Sequence, residues 1–254
     1  MSSLSISFGD SAIMLRRNVK HTLRNPVTVF QAVLFPVVMM LMFVYVFGGD
    51  FNVKGKYVDY AVPGLLVMAI TYGLGPTAAA VNGDMTKGII NRFKAMDVSH
   101  GAVLTGHVVS TAVRGLLADA VIIGVGFAMG FRPHASFPQW LAAIGIMALL
   151  GVAVSWLTVA MGLSAKSVES AGMATVPLIM LPFLSSAFVP ADTMVAGVRQ
   201  FAEYQPFTPI IETLRGLLSG GHPSTGDTVA AVAWSVGFGI LGYVWAVSTF
   251  RKRA

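Results

Sequence analysis

Arg114 and Asp119 are ionisable side chains set inside one long apolar run, about residues 108–130. Ionisable groups at membrane depth are costly, and they often mark ion paths, proton relays or the seat of a charged ligand. Five residues apart on a helix, the two point about 140° away from each other, so they do not pair directly. Arg114 is expected to snorkel to the cytoplasmic interface. Asp119 lies nearer mid-run and is expected to face a cavity or a partner on another helix. Gln31 is the strongly polar side chain of a second apolar run, and with Asp119 it forms a possible intramembrane polar site. A proton-coupled antiporter would want more acids than this.

Other chemistry is missing. There is no G-x-x-x-x-G-K-[ST], so the chain is not expected to hydrolyse ATP itself. Neither H-E-x-x-H nor G-x-S-x-G occurs. The five histidines do not converge on a ligand spacing, and the absence of cysteine removes disulfides, thiolate metal sites and a catalytic thiol. No catalytic residue, metal site or cofactor of its own is expected.

Composition says where such a chain lives. Of 254 residues, 55% are hydrophobic and 11% charged, and the mean hydropathy is +0.74. Soluble domains carry roughly 25% charged residues, so the deficit indicates a helical membrane protein. The charges cluster between apolar runs long enough to cross a bilayer. The fold class is therefore all-α, one transmembrane domain over residues 1–254 with spans at about 27–48, 58–81, 108–130, 138–163, 171–190 and 228–250. Pro36 should bend the first span, Gly73-Leu74-Gly75 is a weak point in the second, and Pro177 and Pro182 should break the fifth. The net charge of +6 reflects topology and lipid contact, with no nucleic-acid surface.

Two polar segments are patterned. From Ser11 to Arg24, an apolar stripe of Ala12, Leu15, Val19 and Leu23 opposes Arg16, Arg17, Lys20 and Arg24, as in a helix lying in an interface. Asn25-Pro26 then closes that helix and opens the next. In Gly83–Ser99, Met85, Ile89 and Phe93 make an apolar row at i, i+4, i+8, with Met96 beyond. Asp84, Gly88 and Arg92 make a second row about 100° to one side. Such a helix either docks a soluble partner or rests, solvated, on its own bundle. Residues 195–218 read as two short amphipathic helices joined at Pro206 and Pro209, lying at the outer surface or dipping back into the bundle.

Basic residues fix the orientation. Eleven lie on the side of the termini and five on the other, so both termini and Gly83–Ser99 are expected in the cytoplasm of a multi-pass cell-membrane protein.

Six spans, an amphipathic start, a helical stretch after span 2 and a helical loop before span 6 resemble the ABC-2 type transporter permeases, most of all the daunorubicin-resistance type. The most specific segments are Asp84-x-x-x-Gly88-x-x-x-Arg92 leading into Val98-Ser99, Phe183-Leu184-Ser185 with Phe188-Val189-Pro190, and Gln205-Pro206-Phe207-Thr208 leading to Leu214-Arg215-Gly216. The resemblance implies that Asp84, Met85, Gly88, Ile89, Arg92 and Phe93 belong to a coupling helix seated on a separate ATP-binding subunit, two copies of which bind MgATP. It implies that the N-terminal helix touches the same subunit. Pro206, Thr208 and Arg215 would then belong to extracellular cap helices, and a second permease chain, identical or homologous, completes the assembly. Asp97 stands where the family usually has proline. The function implied is export of a hydrophobic or amphipathic compound such as a drug or lipid. The rivals are an ATP-independent carrier or channel, in which Asp119 dominates, and a membrane-embedded enzyme, for which the polar residues are too few.

Overall fold

The computed structural model describes residues 34–48, 55–86 and 100–253, and these are helical with short connections. Arg16, Arg17, Lys20, Arg24, Gln31, Gly88, Ile89, Arg92, Phe93 and Asp97 lie outside the described residues, as does the start of the first span.

The first described helix, α1 (Phe35–Leu41), has Pro36 in its first turn and runs on into a wider π-type turn at Met42–Phe47. The second apolar run is two helices, α2 (Tyr57–Tyr72) and α3 (Leu74–Thr86), parted at Gly73. Pro76 explains the break: its ring clashes with the carbonyl four residues earlier, that of Tyr72, and supplies no N–H. Two long helices follow, α4 (His100–Ala128) and α5 (Phe137–Ser164). The fifth run is broken as its prolines require, into α6 (Val168–Ala174), α7 (Val176–Met180) and a 3₁₀ turn at Leu181–Leu184. Pro177 and Pro182 each sit in the first turn of a fresh segment, where a missing N–H costs nothing.

The two short helices before the last run are α8 (Ala196–Tyr204) and α9 (Phe207–Leu218), parted at Gln205-Pro206. They differ in burial. Phe207, Ile210, Ile211 and Leu214 of α9 are fully buried and share one core with α2 and α5, so α9 dips into the bundle. Most of α8 is exposed. On its surface Glu203, 2.7 Å from Arg199, holds that guanidinium above its usual range. The last helix is α10 (Thr225–Arg253).

Among the described residues four stretches are long and apolar enough to cross a membrane: Tyr57–Thr86, Leu104–Ala128, Phe137–Ser164 and Thr225–Lys252. Phe35–Val46 and Val168–Leu184 are shorter apolar helices. The hub is α5, which packs on α3, α4, α9 and α10. Gly162 of α5 makes the approach to α3 possible, since a Cβ there would stand 2.6 Å from the Ala78 carbonyl oxygen. Outward, α10 exposes Val229, Val236, Ile240, Leu241 and Val244. Large apolar side chains facing out along a long helix fit a hydrocarbon surround.

Candidate functional site

Polar side chains gather at the two ends of the bundle. At one end α3 finishes against α4 and α5. Asn82, buried in its last turns, donates from Nδ2 to the carbonyls of Gly162 (3.0 Å) and Ala165 (2.9 Å), where α5 ends. These are orphan carbonyls of a helix terminus, so Asn82 caps α5 from another helix. Two residues on, Asp84 Oδ2 lies 3.2 Å from His107 Nε2 on α4. Gly83–Thr86 thus form the last turn of α3 and do not open a separate helix.

Further along the same seam, the Thr77 and Thr111 hydroxyls are 2.9 Å apart. Arg114 donates to Thr77 Oγ1 at 2.6 Å and to Thr111 Oγ1 at 3.3 Å. This corrects the expectation of snorkelling. Arg114 reaches toward the Asp84 end, as a helical side chain must, but it stops half-buried in the α3–α4 seam because two hydroxyls accept it there.

At the opposite end Arg215 of α9 ties three elements. Its guanidinium donates to the Ser186 carbonyl (2.8 Å), to the Tyr60 carbonyl (3.2 Å) and to Glu212 Oε1 (2.5 Å). Its carbon lies 3.7 Å from the centroid of the Tyr60 ring. Tyr60 donates to the Ser186 carbonyl at 2.9 Å and Tyr57 to the Phe188 carbonyl at 3.0 Å. Thr208 Oγ1 donates to the Ala202 carbonyl (2.5 Å) and accepts from Gln205 Nε2 (3.1 Å), joining α8 to α9. Gly64 lets the α2 backbone approach Ala187 closely. Two segments distant in sequence, around Ser185–Pro190 and around Gln205–Arg215, are therefore one structure. Pro206 is the residue before α9.

Between the two ends lies Asp119, 1% exposed, with no partner for either carboxyl oxygen among the described residues. It shares a face of α4 with Gly115, which meets Ile70, and Gly126, which meets Val62, so it is turned toward α2. Met85 packs with Val81 in a small core at the Asp84 end. Sequence reasoning missed Asn82 and His107. His107 lies 23 positions from Asp84, and no local pattern announces the pair.

Residues 11–218 match the family described as ABC-2 type transporter. The chain belongs to the ABC-2 type transporter family. It is also similar to the daunorubicin resistance ABC transporter permease protein DrrB1 of Streptomyces coeruleorubidus, with 29% identity over 197 residues, 77% of this chain and 70% of that one. The family match covers α1 to α9, including both polar ends. As an ABC-2 transporter with several long apolar helices, the chain is a multi-pass membrane protein.

Proposed function

We propose that this chain is the membrane subunit of an ATP-driven exporter, working with a separate ATP-binding subunit present in two copies and with a second permease chain. In this reading the chain crosses the membrane six times, with both termini and residues 87–99 in the cytoplasm. The cargo is a hydrophobic or amphipathic compound leaving the cell, a class to which the drug in the name of the similar Streptomyces permease belongs. MgATP is bound by the partner.

The observation that carries this reading is the anchoring of α3. It is a half-helix hinged at Gly73, and its far end is held by Asn82 and by Asp84 immediately before residues 87–99. A load applied to those residues by a closing ATPase reaches the bundle through a stiff, clamped lever and not through a slack loop. In this reading Gly88 permits close approach, Met85, Ile89 and Phe93 present the apolar row, and Arg92 fixes the docked segment. Asp84 works from the other side, holding the lever to α4. Arg16, Arg17, Lys20 and Arg24 lie at the interface and touch the same ATPase. The bundle then rocks between inward and outward access.

The test is purification of the tagged chain from cells expressing its neighbouring genes, with ATPase activity and export measured for wild type and Arg92→Glu. A stoichiometric ATP-binding subunit whose hydrolysis is uncoupled from export in the variant is the expected result. Export that persists without any nucleotide-binding partner refutes the reading. The carrier alternative then takes its place, favoured by the unpartnered carboxyl of Asp119.

A further inference from the structure

The face of α10 that meets α5 is notched. Ser235 and Gly239 lie one turn apart, and even a Cβ on Gly239 would stand 3.7 Å from Ala153. The notch leaves a groove of about 330 Å³ on the outer side of the bundle, lined by Leu149, Val152 and Trp156 of α5 and by Ser235, Ile240 and Tyr243 of α10. Trp156 and Tyr243 meet edge to face, centroids 5.0 Å apart, toward the end nearer Asp84. No ionisable acid or base lines it apart from the Tyr243 phenol.

One hydroxyl in this groove behaves unlike its neighbours. Several buried hydroxyls in the described helices turn back onto a carbonyl one turn earlier: Ser155 onto Gly151, Thr158 onto Val154, Thr213 onto Pro209. Ser235 is 0% exposed, and its Oγ has no hydrogen-bond partner among the described residues. A buried hydroxyl left without a partner lowers stability, and such groups call for an explanation.

We propose that the α5–α10 groove binds an uncharged lipophilic small molecule that carries one hydrogen-bond acceptor, a carbonyl or ether oxygen, and enters from the hydrocarbon of the bilayer. The acceptor takes the Ser235 hydroxyl proton in a hydrogen bond, and the body lies toward Trp156 and Tyr243, about 12 Å along the helix. The volume falls in the range of small-ligand sites, which are mostly apolar with a few placed polar groups. Entry from the bilayer follows from the exposed Val236, Ile240 and Val244 around the mouth. A phospholipid is a poor occupant. Its ester oxygens lie at the headgroup boundary, whereas Ser235 is about 15 Å down a 28-residue span. The site does not depend on the exporter reading, because occupancy is measured without ATP.

The probe is benzophenone, a diaryl ketone that cross-links to nearby C–H bonds on irradiation. It is added to the chain, purified with whatever subunits accompany it, in phosphatidylcholine nanodiscs, and adducts are mapped by peptide mass spectrometry. Saturable labelling within 149–156 and 235–243 is expected. Ser235→Ala should weaken apparent affinity about fivefold through loss of one hydrogen bond, and Ser235→Thr should retain it. Gly239→Leu, which fills the notch, should abolish the labelling. Diphenylmethane, which lacks the oxygen, should compete more weakly than unlabelled fluorenone. Even labelling along all outward-facing helices would overturn the proposal. So would Ser235→Ala behaving as wild type, diphenylmethane competing as well as fluorenone, or a groove covered by another subunit and unlabelled.

Discussion

Arg215 stacks its guanidinium on the ring of Tyr60 at 3.7 Å while donating to the main-chain carbonyl of that same residue at 3.2 Å. One side chain thus holds both the side chain and the main chain of the first turn of α2, and its bond to Ser186 adds the end of the broken fifth run. The planar, multi-donor fork of arginine is needed for this, and the point-like ammonium of lysine does not offer it.

Arg215→Lys should therefore destabilise the detergent-purified chain by about 2 kcal/mol, for the lost stacking and one lost charge-assisted bond, and so lower its melting temperature. Arg215→Ala should cost more, since the Ser186 and Tyr60 carbonyls both lose a donor. A melting curve for Arg215→Lys that overlays wild type would show the node to be incidental.

His107→Ala should leave insertion and assembly intact but lower export per ATP hydrolysed, because Asp84 loses the partner that clamps α3 to α4. The exchange Asp84→His with His107→Asp restores the pair and should recover much of the ratio. Parallel assays of hydrolysis and export in proteoliposomes decide it. Equal loss of both activities would point to damage to the fold and not to coupling.

Asn82→Ala removes two donors from the end of α5 and leaves the Gly162 and Ala165 carbonyls short of them. The expected cost is about 1–3 kcal/mol. Protease cleavage in the connection between α5 and α6, residues 165–167, should accelerate in step. Unchanged cleavage would mean that the cap can be replaced by water.

Asp119→Leu removes an unpartnered buried carboxyl and should be neutral or stabilising by about 1 kcal/mol in thermal unfolding. Export should nonetheless fall at least about tenfold, if intramembrane acids are kept for function. Asp119→Asn, which keeps the shape, should fall with it. Normal export by both variants would leave the residue without a role.

The prolines made the fold readable. Pro177, Pro182 and Pro206 each break a helix through a purely local clash, and Gly73-Leu74-Gly75 marked the break in the second run, whereas Pro63 and Pro209 sit inside α2 and α9 without ending them. Four long apolar helices followed likewise from run length. The inner limit of α3 did not. By sequence Met85 opens a new apolar row, but Val81 and Met85 are also four apart, and both pack into one small core. Met85 belongs to α3, and periodicity cannot tell one helix continued from a second begun. Asp84–His107, Asn82–Gly162 and Arg215–Ser186 join residues 23 to 80 positions apart, and nothing local specifies them. Burial of α9 is not legible for a related reason, since an apolar stripe does not say whether lipid or protein covers it.

The packing around α5 also sets an order of manufacture. Its most extensive neighbour is α10, which leaves the ribosome after every other described helix. Until Thr225 and the residues beyond it are made, Trp156, Leu157 and the rest of that flank have only lipid or an insertion factor to lean on. Gly242, seated against the Trp156–Leu157 backbone, is the point where the late arrival locks. A released chain truncated near residue 220 would hold α3, α4 and α9 around a central helix open along one side, a ready substrate for membrane quality-control proteases.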